Sequence, residues 1–454
     1  MNKEELLARA RKPAQDAMIV HPFYRGKIQV VPKCAINSPD DFAIYYTPGV
    51  AEPCKAIKTN KDKVYELTNK WNTVAVVSDG TRILGLGDIG PEASLPVMEG
   101  KALLFKYLGG VDAFPICLDT KDPEEIITAV KWLQPSFGGI NLEDIASPKC
   151  FYILKKLRAE MDIPVWHDDQ QGTAAVILAG LINSLKLTSK KLDKVSIAMI
   201  GAGAANIAIS KLLFAAGAKL ESYLIVDSEG ILHPKREDLK TKRDKYIDKW
   251  KLCQITNIER RIGGIAEALR GADVCIALSK PGPSIIRPEW IKDMAKDAIV
   301  FSCANPIPEI WPWEAKEAGA KIVATGRSDF PNQVNNSLGF PGIFRGTLDV
   351  GARAITDDMC IAAAYSLADT AESRGITEDN IIPTMWETEA YINEAIAVAM
   401  KAQEQGVARI SRSQEELHKS AEAMIKSAQR MAALLIKEGL IASAPQQTYK
   451  PIAR

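Results

Sequence analysis

The sequence predicts an α/β protein with two sheet-containing domains followed by helices. At 454 residues the chain is too long for one ordinary domain. Short apolar stretches alternate with helical patterns from about residue 170, which is typical of a parallel, doubly wound sheet. A glycine-marked turn, Gly201-Ala-Gly203, follows one of these stretches, as in a Rossmann-like domain. The predicted units are a mixed α/β N-terminal domain over 1–165, a Rossmann-like doubly wound domain over 166–390, and C-terminal helices with a tail over 391–454.

The N-terminal part contains two apolar stretches that predict buried strands, Thr73–Val77 and Val111–Leu118. Between them the pattern predicts a helix from about residue 95 to 108, with Ser94 as its candidate cap and Gly109-Gly110 as its end. A third short strand is predicted at Ile163–Trp166.

The later part of the chain alternates strands with helices. The charged stretch 235–251 mixes both signs and indicates a solvated helical insertion rather than a binding patch. An Ala-, Glu- and Lys-rich composition over 386–440 indicates further helices. Strands are predicted at Val195–Ile200, Leu220–Val226, 274–278, 298–301 and 321–324, with an Ala-rich helix over 204–216.

Composition and charge exclude several classes of protein. Hydrophobic residues make up 47% and charged residues 25% of the chain, as in globular proteins with ample core-forming material. The formal net charge of +1 argues against a dedicated nucleic-acid binder, and no apolar run is long enough to span a bilayer. The N-terminus has no secretory apolar region, and the eight cysteines include no Cys-x-x-Cys pair. We expect a cytoplasmic protein without a nucleic-acid or membrane partner.

The glycine-marked turn has the pattern that a nucleotide pyrophosphate requires. Gly201 allows the tight turn, and Gly203 lets the backbone approach phosphate. Ala204, Ala205 and Asn206 then open a helix whose first amides can bind the phosphates. Asn206 stands where a third small residue is usual, and a merely structural strand-to-helix turn remains the alternative.

Asp227 ends the second strand of this domain at the interval expected for a ribose contact. A carboxylate there accepts hydrogen bonds from the adenosine ribose and repels a 2′-phosphate, which favours NAD. The alternative is that Asp227 caps the following turn. Lys235 and Arg236 leave a phosphorylated cofactor, NADP, open.

Two adjacent acidic pairs, Glu143-Asp144 and Asp168-Asp169, lie in apolar surroundings. Carboxylates placed together repel each other and lose solvation, so a fold rarely holds two such pairs without a counter-ion. Mg²⁺ or Mn²⁺ would supply that charge, with Asp169 completing a three-carboxylate site. The alternative is that Asp168 or Asp169 caps a helix starting near Gly172.

Four further positions offer polar groups to such a site. Lys101 lies on the apolar stripe of its helix. The local pattern favours a side chain that extends past that stripe into water. The alternative is a buried lysine with a lowered pKa, as a general base requires. Arg82 could clamp a carboxylate or form a surface ion pair. Asn305 and Asn336 could hold a substrate or a nicotinamide carboxamide. His167 is interpreted as a packing residue at a strand end.

Tyr46 lies in the stretch Tyr45-Tyr-Thr-Pro-Gly-Val50. A phenol beside a Pro-Gly turn could be presented as an acid by a fixed loop. Packing is the alternative for such a tyrosine.

A series of motifs in this order resembles the malic enzyme family, and most closely its shorter prokaryotic members. The resemblance spans about residues 20–390 and implies oxidative decarboxylation of L-malate to pyruvate and CO₂, with NAD or NADP and Mg²⁺ or Mn²⁺. It also implies a homodimer or a dimer of dimers. The motifs are Tyr46-Thr-Pro-Gly-Val-Ala, Asp79-Gly-Thr-Arg-Ile-Leu-Gly-Leu-Gly-Asp88, Met98-Glu-Gly-Lys101, Asn141-Leu-Glu-Asp144, His167-Asp-Asp-Gln-Gln-Gly-Thr173 and Val334-Asn-Asn-Ser-Leu-Gly-Phe-Pro-Gly342.

The resemblance also implies a role for each matched residue. Lys101 matches the base that takes the C2 hydroxyl proton, and Tyr46 the acid that protonates C3 of enolpyruvate. Asp168 matches a member of the proton network beside them, and Arg82 the carboxylate clamp. The implied metal ligands are Glu143, Asp144 and Asp169, and the amides lining substrate and nicotinamide are Asn305 and Asn336. The site is expected in the cleft between the malate-binding and NAD(P)-binding domains.

Two other functions use the same parts. One is a related enzyme, either a malolactic-type decarboxylase that retains its NAD or a dehydrogenase without decarboxylation. The other is a nucleotide-sensing module without turnover, which has no physical need for a metal site beside a base. Net reduction of the cofactor and the identity of the product separate them.

Overall fold

The computed structural model describes residues 3–445, with side chains from residue 12 onward. The part of the predicted tail beyond residue 445 lies outside the described residues. Within the described range, no helix is long and apolar enough to cross a membrane.

The N-terminal unit is built around a four-stranded parallel sheet of order β2-β1-β3-β4. Its strands are β1 (Thr73–Ser78), β2 (Asp112–Cys117), β3 (Gly139–Leu142) and β4 (Val165–His167). Its helices are α1 (Lys3–Tyr24), α2 (Asp41–Tyr45), α3 (Ala51–Thr59), α4 (Val64–Leu67), α5 (Pro91–Gly109), α6 (Pro123–Leu133) and α7 (Lys149–Glu160), with 3₁₀ turns at Lys61–Lys63 and Asn69–Asn72.

The second unit contains a six-stranded sheet of order β10-β9-β8-β5-β6-β7, parallel except for the short antiparallel β7. Its strands are β5 (Ile197–Ile200), β6 (Tyr223–Asp227), β7 (Gly230–Ile231), β8 (Val274–Ala277), β9 (Ile299–Ser302) and β10 (Ile322–Thr325). The accompanying helices are α8 (Thr173–Leu187), α9 (Ala204–Ala215), α10 (Glu237–Lys240), α11 (Ile247–Ile255), α12 (Ile265–Leu269), α13 (Pro288–Lys292) and α14 (Pro312–Glu317). This arrangement confirms the predicted fold class, and the order reverses between β5 and β8, where ligands of such sheets bind.

The chain ends in four longer helices, α15 (Phe340–Asp349), α16 (Asp357–Ser373), α17 (Thr388–Glu404) and α18 (Gln414–Lys437). These helices also pack against the N-terminal unit. Phe105 of α5 lies 4.5 Å, ring centre to ring centre, from Phe340. The buried Arg345 guanidinium donates to the Asn72 side chain over 2.6 Å, just before β1. The C-terminal helices therefore join the two units.

One helix begins earlier in the chain than the sequence predicts. The helix predicted from residue 95 begins at Pro91, because a proline at the first position needs no amide partner and Gly90, with φ 87°, makes the turn that enters it. Ser94 is not the cap; its hydroxyl donates to the Pro91 carbonyl from within the helix.

The predicted boundaries after residues 165 and 390 fall inside β4 and α17, and we propose that the first unit extends through His167.

Candidate functional site

The candidate site lies at the carboxyl edge of the first sheet. Glu143 follows β3 directly and Asp168 follows β4 directly, so both emerge at the edge where parallel strands end. Lys101 reaches this edge from the middle of α5. Its ammonium lies 2.5 Å from Asp168 Oδ2 and 3.1 Å from Glu143 Oε1. The structure thus brings together three of the residues that the sequence singled out.

Lys101 is buried, and the expectation that it extends into water is wrong. Its side chain is 8% exposed, and its ammonium sits 4.4 Å from the centre of the Phe340 ring. Burial alone lowers the pKa of Lys101, but the charges of Asp168 and Glu143 outweigh it and raise the pKa above its usual value. The expected lowering is therefore not found in this arrangement, because the lysine is the counter-ion of two buried carboxylates.

The first acidic pair turns its two side chains to different partners. Glu143 accepts a hydrogen bond from the Asn141 amide over 2.8 Å, and burial raises the pKa of Glu143. Asp144 has a positive φ of 54° and its Oδ2 has no hydrogen-bond partner among the described residues. Burial, with Asp169 next in effect, raises the pKa of Asp144 to about 8.

The second acidic pair begins a π-helical turn, Asp168–Gly172, that leads into α8. Trp166 Nε1 donates to Asp168 Oδ1 over 3.0 Å and holds that carboxylate toward Lys101. Asp169 is one third exposed and accepts from the Asp144 backbone amide over 3.0 Å. The alternative that Asp168 or Asp169 caps α8 is wrong, because the N-cap position of that helix is Gly172 and no side chain caps it.

The donor set fits a hard divalent cation. Glu143, Asp144 and Asp169 offer oxygen ligands only, and the buried Asp144 Oδ2 has no hydrogen-bond partner among the described residues. As the described residues are placed, no three His, Cys, Asp or Glu side chains lie close enough together to hold a cation. Lys101 supplies positive charge to one of the three carboxylates, Glu143, at 3.1 Å.

The remaining predicted site residues lie at different depths. Arg82 is exposed, but its backbone amide donates to the Asp144 carbonyl over 3.0 Å, which places it beside the cluster. Asn336 lies next to the π-helical turn, since a Cβ built on Gly172 would come within 3.4 Å of its Cβ. Asn305, in the loop after β9, lies against Gly85 of the Arg82 loop. Tyr46 is 72% exposed, and its phenol has no hydrogen bond to the cluster in the described part of the chain.

The glycine-marked turn has the predicted form. Gly201 has φ 107°, and a Cβ there would lie 2.7 Å from the Leu278 carbonyl oxygen, so only glycine fits. A Cβ on Gly203 would meet nothing within 4 Å, so space is open in front of the turn. Asn206 is buried and donates to the Ile200 carbonyl over 2.9 Å, so its side chain ties the turn to β5. Ala204 and Ala205 begin α9, as predicted.

Asp227 is surrounded by cations from the charged insertion. Arg236 binds its carboxylate with two nitrogens at 3.0 and 3.2 Å, and Lys249 binds it at 2.5 Å. Burial raises the pKa of Asp227, but these bonds outweigh it and hold the pKa below its usual value. Asp227 also accepts a hydrogen bond from the Glu229 backbone amide over 2.9 Å, so its carboxylate caps the following turn as well as pairing with these cations.

The sequence analysis did not single out four residues that support the site. Trp166 and Asn141 orient Asp168 and Glu143, and Phe340 covers the Lys101 ammonium. Glu309 is buried and accepts from the Ser279 and Ala304 amides, which ties together the loops after β8 and β9. Asn141 and Phe340 lie within the quoted motifs. Trp166 ends a predicted buried strand and gives no sign of its bond to Asp168, and Glu309 carries no local signal because its partner Ser279 is 30 residues away.

Comparison with known proteins identifies both sheet-containing units. Residues 25–158 match the family described as malic enzyme, N-terminal domain, and residues 170–405 match the malic enzyme NAD-binding domain. An NAD-dependent malic enzyme of Geobacillus stearothermophilus is 51% identical over 85% of this chain and 78% of its own length. A bifunctional malic/malolactic enzyme of Bacillus subtilis is 47% identical over 89% of this chain and 96% of its own. The crystal structure of Entamoeba histolytica malic enzyme superposes with a TM-score of 0.95 at 50% identity, covering 99% of this chain and 94% of that one.

Proposed function

This chain belongs to the malic enzyme family, and from that membership we propose that it oxidatively decarboxylates L-malate to pyruvate and CO₂ while reducing a nicotinamide cofactor. The observation that carries this proposal is the buried cluster of Lys101, Glu143 and Asp168 at a sheet edge. A base held among carboxylates, in a chain that also carries a nucleotide-binding turn, suits a reaction that removes a proton from a hydroxyl group and a hydride from the carbon that bears it.

The chain's own residues supply binding and proton transfer. Lys101 first passes a proton to Asp168, which is bonded to it at 2.5 Å, and as a neutral amine then accepts the C2 hydroxyl proton of malate. Arg82 clamps a malate carboxylate by a bidentate contact. Asn305 and Asn336 line the substrate and the nicotinamide. Tyr46 returns a proton to C3 of the enol after CO₂ has left.

A divalent cation, Mg²⁺ or Mn²⁺, is proposed on Glu143, Asp144 and Asp169. When bound, it supplies Lewis-acid stabilisation of the charge that develops as the β-carboxylate departs. It also brings positive charge to carboxylates that otherwise pair with Lys101. The orphaned Asp144 oxygen supports this assignment.

The cofactor occupies the turn of Gly201 and Gly203, with NAD as the proposed preference. The carboxylate of Asp227 supports NAD, because it ends β6 where the adenosine ribose is expected. Its pairing with Arg236 and Lys249 reduces its repulsion of a 2′-phosphate, so NADP is a proposed second cofactor. Backbone amides at the start of α9, from Ala204 and Ala205, would bind the pyrophosphate.

The family also supports proposals for the protein's setting. We propose a cytoplasmic homodimer or dimer of dimers, with malate and pyruvate as its small-molecule partners and neither nucleic acid nor a membrane among them. A malolactic activity is the second candidate function, favoured by the similarity to the bifunctional malic/malolactic enzyme of Bacillus subtilis.

The test is an absorbance assay for reduced nicotinamide with L-malate. NAD and NADP are compared, each with Mn²⁺ and with EDTA, and pyruvate and lactate are measured at the end. Metal-dependent reduction with matching pyruvate is expected. Lactate without net reduction would establish the malolactic reaction instead, and no turnover with either cofactor would reject both enzymes.

A further inference from the structure

A cleft of about 360 Å³ opens between α7, α9 and α16, and is here called the α7–α9 cleft. Its volume lies in the range of sites for small molecules. Among the described residues, none of Lys101, Glu143 and Asp168 lines it, so it is separate from the candidate site. Small side chains leave this room, because α8 and α9 contribute alanines to its walls, Ala174 and Ala208.

One wall of the cleft carries two unsatisfied amides. Gln170 and Gln171 belong to the π-helical turn Asp168–Gly172 and are 4% and 8% exposed. The Nε2 atom of each is buried without a hydrogen-bond partner among the described residues. A buried amide donor left unpaired costs free energy, so this wall favours a ligand that brings an acceptor.

A second wall carries cations that lack carboxylate partners. Lys155 and Arg158 lie three residues apart on α7, so their side chains share one face of the helix. Neither forms an ion pair in the described part of the chain; the Arg158 guanidinium donates to the Ile355 carbonyl instead. The third cation of the cleft, Lys211, is already paired with Asp248 at 2.6 Å. The α7 wall therefore holds unmatched positive charge.

Apolar side chains and one further carboxylate complete the lining. The apolar part comes from Phe151 and Leu154 on α7 and from Leu212 on α9. The carboxylate, Asp357, lies in the first turn of α16, where the amino end of the helix favours a negative side chain and offsets its charge. The cleft thus combines positive charge and amide donors with an apolar surface.

We propose that the α7–α9 cleft is a second ligand site, which takes a small organic carboxylate with an apolar body. The carboxylate pairs with Lys155 and with Arg158, whose planar guanidinium suits a head group of two oxygens. The apolar body lies against Phe151 and Leu212, where its removal from water favours binding. This ligand leaves the Lys101 cluster free, so the site goes beyond the proposed function and does not depend on it.

The ligand contacts both sheet-containing units. The helix α7 belongs to the first unit and α9 to the second, and Gln170 and Gln171 lie in the turn that joins the two. The same turn carries Asp168, which binds the Lys101 ammonium at 2.5 Å. An occupant of the cleft therefore bears on the turn that supports the candidate site, which is the position of an effector.

The test measures binding of phenylbutanoate to the full chain by saturation-transfer NMR. We expect a Kd of about 1 mM or tighter. Phenylbutanamide keeps the apolar body without the charge, and acetate keeps the charge without the body. Each should bind at least about tenfold more weakly than phenylbutanoate. No binding of phenylbutanoate at about 10 mM would overturn the proposal, and so would equal binding of the amide.

Two variants locate the bound probe. Lys155→Glu places a carboxylate three residues before Arg158, so the two side chains pair and the ligand loses both cations. Ala208→Phe fills the cleft from α9 without changing any charge. Each variant should weaken binding of phenylbutanoate by at least about tenfold. Lys292→Glu is the matched control, since it makes the same change of charge at an exposed lysine of α13 and should leave the affinity unchanged.

Wild-type affinity in both cleft variants would place the probe elsewhere and overturn the proposal, as would an equal loss in Lys292→Glu. Circular dichroism shows whether each variant is folded. The two cleft variants lie on different helices, so the failure of one to fold leaves the other as the test. Turnover of L-malate is measured separately, and an inactive wild-type protein would reject the proposed function without altering the binding result.

Discussion

Replacing Lys101 by methionine tests the centre of the proposed site. Methionine keeps an unbranched side chain against Phe340 but removes the ammonium that contacts Asp168 at 2.5 Å and Glu143 at 3.1 Å. Two consequences follow, one for catalysis and one for stability.

The catalytic consequence is the loss of proton transfer from the malate hydroxyl. General acid–base groups contribute roughly 10²–10⁴-fold in rate, or about 3–5 kcal/mol of barrier. Since the transfer occurs only in the transition state, kcat should fall by that factor while KM for malate changes little.

The stability consequence comes from the two carboxylates left behind. Both are at most 4% exposed, and removing one partner of a buried ion pair typically costs about 3–5 kcal/mol. The free energy of unfolding of Lys101→Met should therefore fall in EDTA. Mn²⁺ should restore part of the loss, because one of the two carboxylates, Glu143, is a proposed metal ligand.

The assay follows reduced nicotinamide at saturating malate and Mn²⁺, with urea unfolding monitored in parallel. Lys106→Met is the matched control, since Lys106 lies on the same helix but is 40% exposed and pairs with Asp112 at 2.7 Å. The control should retain wild-type kcat. A kcat for Lys101→Met within about twofold of wild type would refute the assignment of Lys101 as the base.

Three other predictions address the metal, the cofactor and pH. Asp169→Asn should weaken Mn²⁺ binding by at least about tenfold in calorimetric titration, because the site loses one charged oxygen ligand; unchanged affinity would remove Asp169 from the ligand set. Asp227→Ser frees Lys249 and the guanidinium Nη1 of Arg236, whose Nε and Nη2 stay on Asp238, to meet a 2′-phosphate, so kcat/KM for NADP relative to NAD should rise by about tenfold or more; an unchanged ratio would place the ribose elsewhere. Burial lowers the pKa of Lys70 from 10.5 to about 8, so the folded protein releases this proton at lower pH than the unfolded chain does. Wild-type stability relative to Lys70→Met should therefore rise between pH 8 and 10.5, at up to about 1.4 kcal/mol per pH unit, and a flat difference would contradict this.

Local patterns predicted the elements of the fold well. The strands at β1, β2 and β8 lie within a residue or so of the predicted stretches, because buried parallel strands are short apolar runs bounded by turns. The turn at Gly201 was predictable for a similar reason, since only glycine accepts its backbone. The acidic pairs could be recognised in the sequence because carboxylates in apolar surroundings are costly without a counter-ion.

Local patterns failed where the partner of a residue is distant in sequence. Lys101 looked like a lysine that reaches water, because its helix does not reveal Glu143, Asp168 or Phe340 around it. The charged insertion looked solvated, although Arg236 and Lys249 from it bind Asp227. In both cases long-range ion pairs decided the environment.

The sequence by itself determined the fold class, the glycine turn, the acidic pairs and the family, since each depends on neighbouring residues or on an ordered series of motifs. Only the tertiary structure decided that Lys101 is the counter-ion of Asp168 and Glu143, that the C-terminal helices join the two units, and that the Tyr46 side chain is exposed. The physical reason is that burial and charge pairing depend on which elements pack together. Residues far apart along the chain meet only after the sheets and helices have assembled.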